Sequence, residues 1–170
     1  MSAPIYSVSE WKSSRFDMII DVRTPEEFQI DHIPSAVNMP VLTDTQRAEV
    51  GTIYKQVSPF EARKLGASYI SYNISVHLKN GLLEKSRNFK PLVYCWRGGQ
   101  RSGAFNRILS EIGWQTYRLK GGYKTYRQDV INQLDACSAS LKLVVLAGYT
   151  GAGKTKVLNV LRQRGEQVID

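Results

Sequence analysis

Short apolar runs alternate with amphipathic stretches along the first part of the chain. The runs at 18–22, 92–95 and 116–119 are rich in β-branched and aromatic residues and have the length of buried strands. The stretches at 99–112 and 123–134 have helical spacing of apolar residues. This alternation predicts an α/β fold in which helices flank a central parallel sheet.

Two helix starts can be identified from their polar residues. Thr24 and Glu27 have the spacing of a capping box, with proline at the first helical position between them. The run Ser58-Pro-Phe-Glu61 repeats this pattern and predicts the start of a long helix. Four residues recur at 4-3-4 spacing on one face of that helix, and we expect them to pack in the core: Leu65, Tyr69, Tyr72 and Val76.

A phosphate-binding motif follows near the end of the chain. A strand is predicted at 143–147, a helix at 154–164 and the beginning of another strand at 167–169. The segment that joins the first strand to the helix, Gly148-Tyr-Thr-Gly-Ala-Gly-Lys-Thr155, fits GxxxxGK[ST]. In such a loop the backbone amides hold phosphates, Lys154 reaches the terminal phosphates and Thr155 coordinates Mg²⁺. The predicted phosphate-binding residues are Gly148, Gly151, Gly153, Lys154 and Thr155.

Composition is that of an ordinary globular protein with a basic surface. The hydrophobic fraction is 42%, and no apolar run reaches the roughly 20 residues that a membrane span needs. The N-terminal residues lack the apolar core of a secretory signal, so we expect a cytoplasmic protein that does not act at a membrane and whose two cysteines are thiols.

The net charge of +8 favours polyanionic partners or small anionic substrates. Between residues 96 and 127 the sequence contains seven basic residues and one acidic residue, Glu111. The basic residues are Arg97, Arg101, Arg107, Arg118, Lys120, Lys124 and Arg127. The positive charge is therefore concentrated beside a cysteine, Cys95.

Cys95 follows a predicted strand and precedes a glycine-containing loop that leads into a helix. Such a loop can direct backbone amides and a helix N-terminus toward the sulfur, which favours the thiolate, and Arg101 is placed to bind an anion above it. We therefore predict that Cys95 is a nucleophile. The expected anion-binding loop comprises Trp96, Arg97, Gly98, Gly99, Gln100, Arg101 and Ser102.

The spacing of this loop, C-x5-R followed by serine, is compatible with more than one chemistry. Cysteine phosphatases have this pattern, and sulfur transferases of one α/β superfamily share it. A phosphatase also needs a carboxylic acid to protonate its leaving group, and residues 96–100 contain none. Acids elsewhere in the chain could supply one, so the loop alone leaves both chemistries open.

Longer stretches narrow the choice by resemblance. Asp21-Val-Arg-Thr-Pro-Glu-Glu-Phe28 and the run from His32 to Pro40 resemble the N-terminal signature of rhodanese domains. The run Gln46–Gln56 (QRAEVGTIYKQ), the cysteine loop and Gly121-Gly-Tyr-Lys124 are similar to the tRNA 2-selenouridine synthases, which join a rhodanese domain to a P-loop domain.

That resemblance implies replacement of sulfur by selenium in 2-thiouridine at the tRNA wobble position. The implied substrates are selenophosphate, geranyl diphosphate and the anticodon region of tRNA, and geranyl diphosphate is used to form an S-geranyl intermediate. No tightly bound cofactor or metal is expected. Cys95 would act as nucleophile or chalcogen carrier, Arg97 and Arg101 as anion binders, and Asp21 and Arg23 as organisers of the loop. His32 has a structural role in this signature.

The predicted domain organisation is a rhodanese-like domain at 1–135, a linker at 136–141 and the first strand, loop and helix of a P-loop domain at 142–170. These last residues are too few for a core of their own, so we expect a truncated chain whose full activity is in question. The oligomeric state is left open, and three other functions share parts of the pattern: a plain sulfurtransferase, a cysteine phosphatase and a non-catalytic binding module.

Overall fold

A five-stranded parallel sheet forms the centre of the first part of the chain. In this computed structural model the strands are β1 (Ile5–Val8), β2 (Met18–Asp21), β3 (Val37–Asn38), β4 (Pro91–Tyr94) and β5 (Thr116–Leu119). Their order across the sheet is β1-β5-β4-β2-β3, and every pairing is parallel. Asp21 pairs with Tyr94, so the carboxyl ends of β2 and β4 lie side by side at one edge of the sheet.

The structure describes residues 2–12, 14–138 and 144–169. Six α-helices lie in these segments: α1 (Pro25–Ile30), α2 (Asp44–Gln56), α3 (Pro59–His77), α4 (Gln100–Ile112), α5 (Tyr123–Ser138) and α6 (Lys154–Gln163). A π-helical turn, Leu78–Leu82, continues α3. The chain divides into two compact units, Met1–Asn132 and Gln133–Asp170.

Two cores cover the two faces of the sheet in the first unit. Side chains of a strand alternate between faces, so Val93 and Cys95 enter one core while Leu92 and Tyr94 enter the other. The first core also contains Ile74 of α3 and residues of α4; the second contains aromatic residues of α5. Cys95 thus lies on the α3 and α4 side of the sheet.

Most of the elements predicted for this unit are present. Strand β5 has the predicted bounds, β2 and β4 lie within one residue of theirs, and α4 begins one residue later. Both capping-box residues of α1 make the reciprocal hydrogen bonds, and Ser58 caps α3 through the amide of Phe60. Strands β1 and β3 and helix α2 were not predicted.

The predicted core face of α3 is wrong. Tyr72 is 68% exposed, and Tyr69 donates a hydrogen bond to Glu49 instead of packing in the core. The buried residues of this helix are Ala62, Gly66 and Ile74. A Cβ on Gly66 would lie 3.5 Å from a methyl group of Val50 on α2, so this buried face of α3 packs against the neighbouring helix at a glycine.

The second unit contains the end of α5 and all of α6. Helix α5 continues into the predicted linker as far as Ser138, and the rest of that linker, 139–141, lies outside the described residues. The strand predicted at 143–147 is absent at 144–147, Leu143 lies outside the described residues, and 167–169 is not a strand either. Val144 and Val145 are 98% and 83% exposed. A strand requires a hydrogen-bonded neighbour, and none lies beside these segments in the described part of the chain.

Candidate functional site

Cys95 stands at the carboxyl end of β4, where the backbone turns into the N-terminus of α4. The loop needs a left-handed residue, and Gly98 supplies it with φ of 66°. Gly99 precedes the first turn of α4, and no side-chain cap binds the amides of this turn. The local sequence therefore forms a glycine-containing turn between strand and helix, and its binding of an anion stays a prediction.

A second glycine pair holds this loop from the other side. The amide of Tyr123 donates to the carbonyl of Cys95 at 2.9 Å, and the amide of Lys124 donates to the carbonyl of Trp96 at 3.2 Å. Gly122 has φ of 62°, and a Cβ on it would overlap the Cys95 carbonyl and lie 2.7 Å from the amide nitrogen of Gly98. Only glycine permits this contact, which connects the start of α5 to the cysteine loop.

The Cys95 sulfur is nearly buried and has one polar neighbour. Its exposed fraction is 3%, and Sγ lies 3.2 Å from Oγ of Ser102 on α4. The same hydroxyl lies 3.2 Å from the carbonyl of Gly99. With a thiol, the hydroxyl can donate to Gly99; with a thiolate, it can turn and donate to sulfur. Ser102 is thus placed to follow the protonation state of Cys95.

Asp21 and Arg23 form a fully buried ion pair beneath the loop. Arg23 donates through Nε and Nη2 to the Asp21 carboxylate, at 2.6 Å for the shortest contact. Burial acts to lower the pKa of Arg23, but the hydrogen bond and charge of Asp21 outweigh it and the pKa is raised. Arg23 is therefore charged at all ordinary pH values.

Tyr123 connects this pair to the cysteine. The Arg23 guanidinium lies 3.9 Å from the centre of the Tyr123 ring, and the Tyr123 hydroxyl donates to Asp31 at 2.6 Å. The backbone amide of the same tyrosine binds the Cys95 carbonyl. Burial and the hydrogen bond to Asp31 raise the pKa of Tyr123, so it remains a neutral donor. The contacts predicted for Asp21 and Arg23 reach the loop through Tyr123, which the sequence did not single out.

Arg101 is not directed as the sequence suggested. Its Nη1 and Nη2 donate to the two carboxylate oxygens of Glu27 on α1, at 2.7 and 3.3 Å. The guanidinium is therefore engaged by Glu27, and its binding of an anion above the sulfur stays a prediction. Spacing within a loop cannot reveal an acid 74 residues away.

The other predicted loop residues differ in their exposure to solvent. Trp96 is 41% exposed and packs against the Tyr123 ring at 5.2 Å between centroids. Arg97 and Gln100 are exposed, whereas Ser102 is fully buried. Of the basic cluster, Arg101 is half-buried in its ion pair, Arg118 is half-buried on β5, and Arg107, Lys120, Lys124 and Arg127 are exposed.

His32 has the structural contacts expected of it. Its ring stacks on Phe28 at 3.8 Å between centroids, and Nδ1 lies 2.9 Å from the Phe28 carbonyl. Both contacts join the turn that follows α1 to Phe28 of that helix. They explain the place of His32 in the signature without a role in proton transfer.

An open cavity of about 640 Å³ lies between α2, α3 and the first turn of α4. Apolar residues, among them Leu42, Val50 and Ile70, form most of its wall, and Gln100 and Arg101 form its polar side. The cavity therefore borders the cysteine loop.

The P-loop motif has the backbone shape of a phosphate loop. Gly151 and Gly153 have φ of 84° and 80°, and α6 begins at Lys154. The Lys154 ammonium donates to the carbonyls of Gly148 and Tyr149, at 2.8 and 2.9 Å. The charge of the ammonium thus lies over the loop, where a bound phosphate could accept its hydrogen bonds in place of the two carbonyls. Thr155 is exposed at the first turn of α6.

Metal-binding and membrane-spanning features are absent from the described residues. No group of three or more His, Cys, Asp or Glu side chains is placed there to hold a metal ion. None of the helices in those segments is both long and apolar enough to cross a bilayer. Cys95 and Cys137 are not joined in a disulfide, and Cys137 is exposed.

Comparison with known proteins gives consistent matches over the first unit. The rhodanese-like domain family matches residues 7–129. The crystal structure of the N-terminal domain of a Clostridium difficile 630 protein, described as an ATP/GTP-binding protein, is 37% identical, with a TM-score of 0.63, and the match covers 75% of this chain and 99% of that one.

Curated relatives share more than the first unit. A tRNA 2-selenouridine synthase from Nitrosomonas europaea is 39% identical over 146 residues, which is 83% of this chain and 37% of that protein. The protein of the same name from Bdellovibrio bacteriovorus is 38% identical over 162 residues, covering 89% of this chain and 40% of its own length. The chain thus spans about two fifths of the relatives that it matches.

Proposed function

The chain belongs to the rhodanese-like domain family, and from this premise we propose that it is the chalcogen-transfer part of a transferase that makes 2-selenouridine in tRNA. The observation that carries the proposal is the Cys95 loop, in which a nearly buried sulfur lies 3.2 Å from the Ser102 hydroxyl of α4 and Gly122 packs against the Cys95 carbonyl. Relatives named tRNA 2-selenouridine synthase match across both units of the chain, which supports the choice of reaction.

In the proposed reaction selenophosphate replaces the sulfur of 2-thiouridine through an S-geranyl intermediate, whose geranyl group comes from geranyl diphosphate. Selenium bonds to C2 of the uracil ring, the C2–S bond breaks, and geranylthiol leaves. Water then takes up the phosphoryl group. These steps form no bond to the sulfur of Cys95, whose role as nucleophile or chalcogen carrier is a further proposal. Ser102 would stabilise its thiolate by donating a hydrogen bond at 3.2 Å. Amides of residues 96–101 would hold the anionic group, with Arg97 at the loop's outer edge.

The substrates of this reaction include the anionic tRNA and the apolar geranyl group, and the surroundings of the loop offer a surface for each. Lys120 follows β5, and Lys124 and Arg127 lie on α5, whose first amides contact the loop; all three side chains are exposed. We propose that they bind the phosphates of the tRNA anticodon region. The cavity of about 640 Å³ beside Arg101 offers an apolar surface for the geranyl group.

The phosphate loop at 148–155 would bind a phosphorylated substrate in the full-length protein. Its left-handed glycines and the Lys154 ammonium fit a phosphate ligand, and Thr155 could hold a magnesium ion that accompanies it. We propose that residues 1–135 form the rhodanese-like domain and that 142–170 begin a P-loop domain, with the connection at 136–141. The relatives' greater length agrees with this arrangement.

Complementation in cells that lack the full-length gene tests the proposal. We expect wild-type full-length protein to restore selenouridine among the modified nucleosides of tRNA, and Cys95→Ser to fail. Cys137→Ser is the matched control because it removes the other, exposed cysteine. Selenouridine that does not depend on the gene would reject the assignment; full activity of Cys95→Ser would reject the role of the loop.

A further inference from the structure

Glu27 contacts the arginine of the cysteine loop directly. Its carboxylate accepts two hydrogen bonds from Arg101, and the two side chains are 11% and 17% exposed. Arg47 of α2 approaches the same carboxylate at 3.7 Å from the solvent side. The bidentate contact therefore lies in a partly buried position where charges interact more strongly than in water.

Glu27 is fixed in place independently of Arg101. It is the third residue of α1, and its carboxylate accepts the amide hydrogen of Thr24 at 3.1 Å as half of the capping box. Burial acts to raise the pKa of Glu27, but the hydrogen bond and charge of Arg101 outweigh it and the pKa is lowered. The carboxylate is thus ionised at neutral pH and held where Arg101 meets it.

We propose that Glu27 pairs with Arg101 and thereby weakens the binding of phosphate-type dianions, selenophosphate included, at the Cys95 loop. In a C-x5-R loop, we expect the arginine to face such a dianion. Here the two terminal nitrogens of Arg101 are used by Glu27, which Arg47 also approaches, so the carboxylate cancels one of the two guanidinium charges. An anion in the loop would rely on backbone amides and the N-terminus of α4.

The pairing acts on selenophosphate and phosphate alike, so it also lowers occupation of the loop by the phosphate that the proposed reaction releases. The inference deepens the proposed function and rests on the loop's being the reactive site.

The test is the affinity of the chain for inorganic phosphate, measured by calorimetry at neutral pH. Glu27→Gln should lower the dissociation constant about tenfold or more, because removal of one adjacent charge frees the guanidinium charge. Glutamine is an accepted residue at this position of a capping box, so α1 should be retained, and circular dichroism checks this. Glu26→Gln is the matched control: it makes the same charge change on an exposed neighbour in the same helix.

A double variant assigns the effect to the arginine. In Glu27→Gln/Arg101→Gln the gained affinity should disappear. The proposal is overturned if Glu27→Gln leaves phosphate affinity unchanged, if Glu26→Gln raises it equally, or if the gain persists without Arg101. The assay contains no tRNA, so these failures are distinguishable from a failed complementation, which would reject the proposed reaction and leave the phosphate measurement standing.

Discussion

Replacement of Gly122 by alanine should disrupt the cysteine loop more than any comparable glycine substitution in this chain. Gly122 has φ of 62°, where an alanine costs roughly 1–2 kcal/mol. Its new Cβ would also overlap the backbone carbonyl of Cys95, which cannot move away as a flexible side chain could.

The overlap adds a second cost. Relief requires the carbonyl to leave the amide of Tyr123, now 2.9 Å away, which loses a hydrogen bond and leaves a buried acceptor without a partner. That costs about 1–3 kcal/mol more. The total, about 2–5 kcal/mol, is a large part of the stability of a domain of this size.

Gly113→Ala is the matched control, because Gly113 has φ of 108° and no atom lies within 4 Å of the place its new Cβ would take. It should show the backbone strain alone. Urea unfolding measures both free energies, and alkylation of Cys95 with iodoacetamide reports the loop. If Gly122→Ala is no more destabilising than Gly113→Ala, and Cys95 keeps its rate, the contact does not hold the loop.

Three further predictions follow from other contacts. Ser102→Ala should slow alkylation of Cys95 at pH 7 about tenfold by removing a donor to the thiolate, with Cys137 in the same molecule as control; an unchanged rate would contradict the role of Ser102. Because the pKa of Glu27 is lowered in the fold, its contribution to stability is present above the ordinary glutamate value of 4.5 and is lost as pH falls below it. The unfolding free energies of wild type and Glu27→Gln should thus converge on acidification, and a constant difference would refute this. Replacing Lys120 and Lys124 by alanine should reduce the slope of log K for tRNA against log salt by about 0.7–0.9 per lost phosphate contact, whereas an equal slope would place the tRNA surface elsewhere.

Signals confined to neighbouring residues were sufficient for much of the fold. The capping box of Thr24 and Glu27 depends on residues three apart, and it forms as predicted. Strand β5 has its predicted bounds, with Tyr117 and Leu119 packed in the second core and Thr116 also buried. By contrast, β1 (IYSV) has β-forming residues but is mostly exposed at the edge of the sheet. It is a strand because β5 lies beside it.

The sequence by itself determined which residues could form the reactive loop: a cysteine after a strand, glycines that permit the turn, and a serine at the helix start. Tertiary structure decided how those residues are used. Glu27 and Arg101 are far apart in the chain, and only the packing of α1 beside α4 makes them an ion pair. Likewise, Gly122 restrains Cys95 because β4 and β5 are neighbours in the sheet. The strand predicted at 143–147 shows the same limit, since its apolar residues satisfy the local pattern while pairing depends on a neighbouring strand.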